Sequence, residues 1–230
     1  MRLNRILALG LVAALSLGAS KPAPAPVRGN WVGTVVTTPG GGHRMGNPAA
    51  PVKLIEYVSY TCPHCSHFEL ESDGQLKMGY VVPGKVSVEV RHIVRDPVDL
   101  TVAMLTNCGP PSRFFLNHAA FMRTQATWIA PMAGATTAQL QRWTSGDPAA
   151  RRRNIASDFK LYPMAAVRGI DRVAADRCLA DNALAQRLAT MTQEAGNLGV
   201  DSTPSFALDG VLLTGTHDWR ALAPQIAARF

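Results

Sequence analysis

One short stretch limits what this chain can fold into. Val52-Lys53-Leu54-Ile55-Glu56-Tyr57-Val58, opened by Pro51, is apolar and β-branched, as a buried strand is. It leads at once into Tyr60-Thr61-Cys62-Pro63-His64-Cys65-Ser66-His67-Phe68, after which Ser66 to Leu76 has helical spacing, offering Phe68, Leu70 and Leu76 to a core. Two cysteines therefore sit at a strand-to-helix junction, Cys62 at the helix start and Cys65 one turn inside. There the first-turn N–H groups lack intrahelical partners, and the helix dipole favours a negative sulfur. A Cys-X-X-Cys thiol so placed falls from about 8.5 to about 3.5–7.5 in pKa.

The pattern admits three chemistries: a structural disulfide, half of a zinc site, or a redox dithiol. Four-ligand zinc needs a second pair of ligands, and no other Cys-X-X-Cys occurs. His64 and His67 are near, but His64 lies between the cysteines, where one ion is awkward to share. The redox dithiol is the reading the residues favour, with no metal and no cofactor expected. Pro63 rigidifies the turn without wasting a donor. A protonated or N–H-donating His64 favours the Cys62 thiolate; its bland alternative is a solvated loop histidine.

Residues 1–20 have the form of a secretory signal. Arg2 and Arg5 give a positive start, Ile6 to Leu17 an apolar run, and Gly18-Ala19-Ser20 a small-residue cleavage site. The apolar run is shorter than the ~20 residues a span needs, so an uncleaved anchor is the lesser alternative. Export places the chain where disulfides persist, and its four cysteines are an even count. A Cys108–Cys178 structural disulfide is then the default for the remaining pair. The formal charge of +7 is scattered, apart from Arg151-Arg152-Arg153, with little aromatic interleaving. A nucleic-acid partner is not indicated, and the arginine run reads as a solvated helix face.

Lys21 to Pro26 is a Pro/Ala tether, and Trp31 to Val36 a short strand broken by Thr38-Pro39-Gly40-Gly41-Gly42. Lys85 to Ile93 alternates apolar and polar residues, as a half-exposed strand does. From Asp96 to about Gly199 only helical patterns occur: Val98–Asn107, Ser112–Ile129, Thr137–Thr144, Asp147–Lys160, Asp171–Leu179 and Asn182–Asn197. Asp209-Gly210 between Ser205–Leu208 and Val211–Leu213 signals a hairpin, and a last helix spans about Asp218 to Ala228. The fold class is α/β, a sheet interrupted by an all-helical insertion.

With Cys62-Pro63-His64-Cys65 after a Glu-bearing strand, Thr203-Pro204 before the hairpin, and the insertion between, the chain resembles the thioredoxin-fold thiol oxidases of the DsbA type. The resemblance implies a discontinuous thioredoxin-like domain (45–95 and 199–230), a helical insertion domain (96–198), and residues 21–44 as tether and first strand. It implies that Pro204 is cis and faces the cysteines, with the Thr203 backbone pairing to an extended substrate. It also implies that Glu56, Glu69 and Lys85 form a charge cluster beneath the sulfurs; their ordinary reading is a strand Glu, a helix-surface Glu and a strand-end Lys. A monomer in the periplasm would then oxidise reduced exported polypeptides and be reoxidised by a quinone-linked membrane partner of the DsbB type. Enteric-type members lack the second cysteine pair, although other branches resemble this chain in having one. The alternatives are an isomerase or reductase of the same fold, or a metal-binding module.

Overall fold

The computed structural model describes residues 29–230, so the signal-like segment and the Lys21–Pro26 tether lie outside the described residues. Six strands form one sheet: β1 (Val35–Thr37), β2 (His43–Met45), β3 (Val52–Val58), β4 (Val86–His92), β5 (Ser205–Leu208) and β6 (Val211–Leu212). Their order is β1-β2-β4-β3-β5-β6, with β3 and β4 parallel and every other pair antiparallel. Between β3 and β4 runs α1 (Pro63–Leu76), continued by a π-helical turn at Lys77–Val81.

Between β4 and β5 lie α2 (Pro97–Thr106), α3 (Phe114–Arg123), α4 (Gln125–Trp128), α5 (Thr137–Thr144), α6 (Pro148–Asp158), α7 (Leu161–Ala166), α8 (Arg172–Ala180) and α9 (Asn182–Asn197). The chain ends with α10 (Trp219–Ala227). Asp96, Asp147, Asp171, Asp181 and Asp218 cap α2, α6, α8, α9 and α10, each accepting from a first-turn N–H. The Asp209-Gly210 hairpin has both residues at positive φ, 52° and 85°, as a two-residue turn of the primed type requires.

A hydrophobic cluster runs from the sheet (Val58, Val90, Phe206) through Phe68 of α1 into the helical block at Phe121, Phe159 and Leu179. The helices between 96 and 198 thus share a core with the sheet. On the other sheet face, Tyr57 and Ala207 pack with Ala195 of α9. Cys108, just after α2, is disulfide-bonded to Cys178 in α8, 70 residues on.

Several local expectations are corrected. Trp31–Gly33 is a single 3-10 turn, and the first strand begins only at Val35. Ser112–Ile129 breaks into a 3-10 turn and two helices, and α7, which contains Pro163, carries no strong sequence signal. The buried stripe of α1 is Cys65, Phe68, Glu69, Ser72 and Leu76, at three- and four-residue spacing, whereas Leu70 is 62% exposed. Leu70 is two residues from Phe68, and so on the opposite side of the helix.

Strand β4 is not half-exposed but buried on both faces. The turn at Thr38–Gly42 covers its polar side. Glu89 accepts from the Thr38 hydroxyl at 2.8 Å and pairs with Arg91 at 2.7 Å. A Cβ on Gly42 would stand 2.7 Å from the Val90 carbonyl oxygen, so only glycine lets the turn approach. Period-two alternation marks one apolar face; it does not say whether water or a loop meets the other.

Candidate active site

Strand β3 ends at Val58, and Ser59-Tyr60-Thr61 delivers Cys62 as the cap residue of α1 with Pro63 in the first turn. The helical block fixes this delivery loop. Asp99 of α2 accepts from the Tyr60 N–H at 2.8 Å and from the Ser59 hydroxyl at 2.6 Å. Asp96 accepts from the Thr61 hydroxyl at 2.6 Å. Gln125 of α4, itself buried, donates to the Tyr60 and Cys62 carbonyls at 2.7 and 2.8 Å. Sequence reasoning misses these clamps because Asp99 looks like a first-turn helix acid and Gln125 like a polar surface residue.

Both cysteines are free thiols, and buried. Cys62 Sγ lies 3.1 Å from the Thr203 carbonyl oxygen, to which its protonated form donates. The Thr203–Pro204 peptide bond is cis. The Pro204 carbonyl accepts from His217 Nδ1 at 2.8 Å, and the Ser205 hydroxyl closes the loop onto the Ser202 carbonyl. Cys62, Pro63, His64, Ile93, Arg95 and Thr203 line a groove of about 540 Å³, with Pro63 and His64 exposed beside it.

The two sulfurs have opposite acidities. A hydrogen bond from Cys65 is the main cause that lowers the Cys62 pKa to about 4; burial opposes it, while the Thr203 side chain and the Cys65 and His64 backbone N–H groups reinforce it. Cys65 is pushed well above the ordinary thiol value, first by burial, then by the hydrogen bond and charge of Cys62. At neutral pH the pair is a thiolate beside the thiol that stabilises it. The sulfur that lines the groove is thus the more acidic of the two.

Beneath the sulfurs, Glu56 of β3 and Glu69 of α1 border a small void with Asp73, Lys77 and His118. The cations facing Glu69 and Asp73 are Arg123, 3.3 Å from Glu69, and Lys77, 2.5 Å from Asp73. Lys85 does not join them. It is exposed at the start of β4, with its ammonium 5.1 Å from the Phe230 ring. In the parallel pair Val86 opposes Val52 and His92 opposes Val58, so Lys85 lies at the end of the sheet away from the cysteines, about 20 Å along at ~3.3 Å per residue. The resemblance places Glu56 and Glu69 together, as they are, but which lysine reaches them depends on strand direction. Among the described residues no group of three or more His, Cys, Asp or Glu is placed to hold a metal ion.

Buried groups of both kinds titrate near this site. Burial lowers His43 to about 4, His118 to about 3, and His92 well below its ordinary value. Burial also raises Glu69 and Asp99 to about 7, and burial, then the Glu69 and Asp73 charges, raise Glu56 well above its ordinary value. Below about pH 6.5 the unfolded histidines bind protons that the folded ones refuse, so they cost stability on acidification. Over the same interval the folded carboxyls hold protons that unfolded ones release down to about pH 4, so they add stability. With three groups on each side, the oxidised protein is expected to have nearly constant unfolding free energy between about pH 4.5 and 6.5. Glu56→Gln removes one compensating proton, and urea unfolding across this range is expected to show stability falling by up to ~1.4 kcal/mol per pH unit of acidification. An unchanged slope would mean that Glu56 is ionised in the folded state.

A family model described as Thioredoxin matches residues 38–228. A solved structure described as a protein-disulfide isomerase from Novosphingobium aromaticivorans is 62% identical, covers 82% of this chain and 97% of its own, and superposes with a TM-score of 0.80. Wolbachia pipientis alpha-DsbA1 shares the fold at 23% identity and a TM-score of 0.65, over 81% of this chain and 89% of its own. A Rickettsia bellii protein provisionally named protein-disulfide oxidoreductase is 29% identical over 85 residues, 36% of this chain and 33% of that protein. The match thus spans about a third of the length of such curated relatives.

Proposed function

This chain belongs to the thioredoxin family, and from that we propose that it is a thiol:disulfide oxidoreductase that introduces disulfides into exported polypeptides through a Cys62–Cys65 redox pair. The observation that carries this reading is the contrast between a Cys62 thiolate with a pKa of about 4 and a buried, protonated Cys65, both beside the Thr203–Pro204 loop. Stabilising that thiolate stabilises the reduced form, which makes the disulfide form a strong oxidant.

In the oxidised protein a substrate thiolate attacks Cys62 Sγ, forming a mixed disulfide while the bond to Cys65 breaks. Cys65 leaves as a thiolate and, having a high pKa, takes up a proton; the buried Glu56 carboxyl, whose charge acts on Cys65, is placed to supply one. A second substrate thiolate then attacks the substrate sulfur of the mixed disulfide and expels Cys62, a good leaving group because its thiolate is stable. Two electrons pass to the protein and one disulfide to the substrate. The Thr203 backbone offers pairing to an extended substrate strand, which accepts many sequences because main-chain hydrogen bonds carry no side-chain code. By its resemblance to DsbA-type oxidases, the monomer works in the periplasm, is reoxidised by a quinone-linked DsbB-type membrane partner, and uses no cofactor of its own.

The name of the 62%-identical structure favours one second reading, disulfide isomerisation. Refolding assays separate the two. Reduced, unfolded ribonuclease is expected to regain disulfides rapidly with stoichiometric oxidised protein, whereas scrambled ribonuclease with catalytic reduced protein is expected to recover slowly. The reverse ranking makes the chain an isomerase, and inactivity in both removes the oxidoreductase reading.

A further inference from the structure

The Arg151-Arg152-Arg153 run is not a solvated helix face, because Arg152 is only 5% exposed. Its guanidinium donates to the Pro148 carbonyl at 2.9 Å, to Asn182 Oδ1 at 2.5 Å and to the Met104 sulfur at 3.3 Å, all uncharged acceptors. Among the described residues neither it, Arg151 nor Arg95 takes part in an ion pair with a carboxylate. All three line one cavity of about 530 Å³ between α2, α6 and α9, with Trp143 among its apolar walls.

The acidic groups nearby are already engaged. Asp96, in the cavity wall, accepts from the Val98 and Asp99 N–H groups and from the Thr61 hydroxyl. Asp147 and Asp181 cap α6 and α9. A buried guanidinium with no carboxylate in contact is costly, and its planar fork matches one. Arg95 lines both this cavity and the Cys62 groove, so the two adjoin at one side chain.

We propose that this arginine-lined cavity is a carboxylate-binding subsite that receives an acidic segment of the polypeptide whose thiol reacts at Cys62. The inference rests on the oxidoreductase reading and adds a substrate preference to it. Docking of Asp or Glu side chains beside the groove raises the local concentration of the substrate thiol, and so speeds formation of the mixed disulfide rather than changing the sulfur chemistry.

The test uses the oxidised full chain and two amidated synthetic dithiol peptides, identical except that glutamates flanking the cysteines in one are glutamines in the other. The acidic peptide is expected to react about tenfold faster at low ionic strength, with the ratio shrinking as salt is added. Arg151→Glu is expected to bring that ratio to about one or below. Arg220→Glu, which makes the same charge change at an exposed position of α10, is expected to preserve it. Equal rates for the two peptides, or a ratio that survives Arg151→Glu, overturn the proposal. An equal loss in Arg220→Glu also overturns it, because the selectivity would then come from overall charge. Should neither peptide be oxidised, it is the oxidoreductase reading that fails.

Discussion

Replacing Cys65 is expected to stop dithiol oxidation completely while leaving Cys62 able to form mixed disulfides that accumulate. The Cys62–Cys65 bond cannot form without it, so the protein has no disulfide to transfer. A complex formed on Cys62 also has no neighbouring thiol to resolve it. Non-reducing gels and mass spectrometry after incubation with a disulfide-bonded peptide read out the trapped species.

The choice of substitute separates two roles of Cys65. Its hydrogen bond is the largest cause of the low Cys62 pKa. Cys65→Ala removes that donor and is expected to raise the Cys62 pKa by about 1–2 units, since a hydrogen bond to a charged group is worth ~1.5–3 kcal/mol. Cys65→Ser keeps an O–H donor and is expected to stay closer to the native value. Titration of the thiolate absorbance compares all three proteins. Equal pKa values for the alanine and serine variants would show that the N–H groups of the α1 first turn, not Cys65, hold the charge.

The same thiolate has a consequence for stability. Its folded pKa, about 4, lies below the unfolded value of about 9, so it stabilises the reduced protein increasingly as pH rises through that interval and not at all below it. The oxidised protein lacks this ionisation, so the reduced form gains on it as pH rises, which is the thermodynamic counterpart of oxidising power.

Removal of the Cys108–Cys178 bond is expected to lower stability by about 4 kcal/mol, from the entropy of closing a loop of this length in the unfolded chain. For a domain of this size that corresponds to a melting temperature about 10 °C lower. The bond joins the C-terminal end of α2 to α8, whereas the opposite end of α2 carries Asp96 and Asp99, which clamp the loop before Cys62. The double variant Cys108→Ala/Cys178→Ala is therefore expected to melt earlier but to retain the Cys62 pKa, because the clamps do not involve the disulfide. A raised Cys62 pKa in a still-folded double variant would mean that the staple tunes the site through α2.

Features that rest on local physics are legible in the chain alone. The buried strand Val52–Val58, the cysteines at a helix start and the Asp209-Gly210 hairpin each follow from a few neighbouring residues. Resemblance added the importance of Thr203-Pro204, to which local pattern assigns only a turn. Tertiary structure alone decided what depends on which surfaces meet. A period-two pattern did not reveal that Thr38–Gly42 covers β4, and although helical spacing sets Leu70 opposite Phe68, only packing shows that Glu69 is buried beside Phe68. Strand direction put Lys77 and Arg123, not Lys85, beside the acids. The arginine run became a buried cation against a cavity because α6 packs on α2 and its Arg152 reaches Asn182 at the start of α9, and no charge pattern along one helix says which of its faces a neighbour will cover.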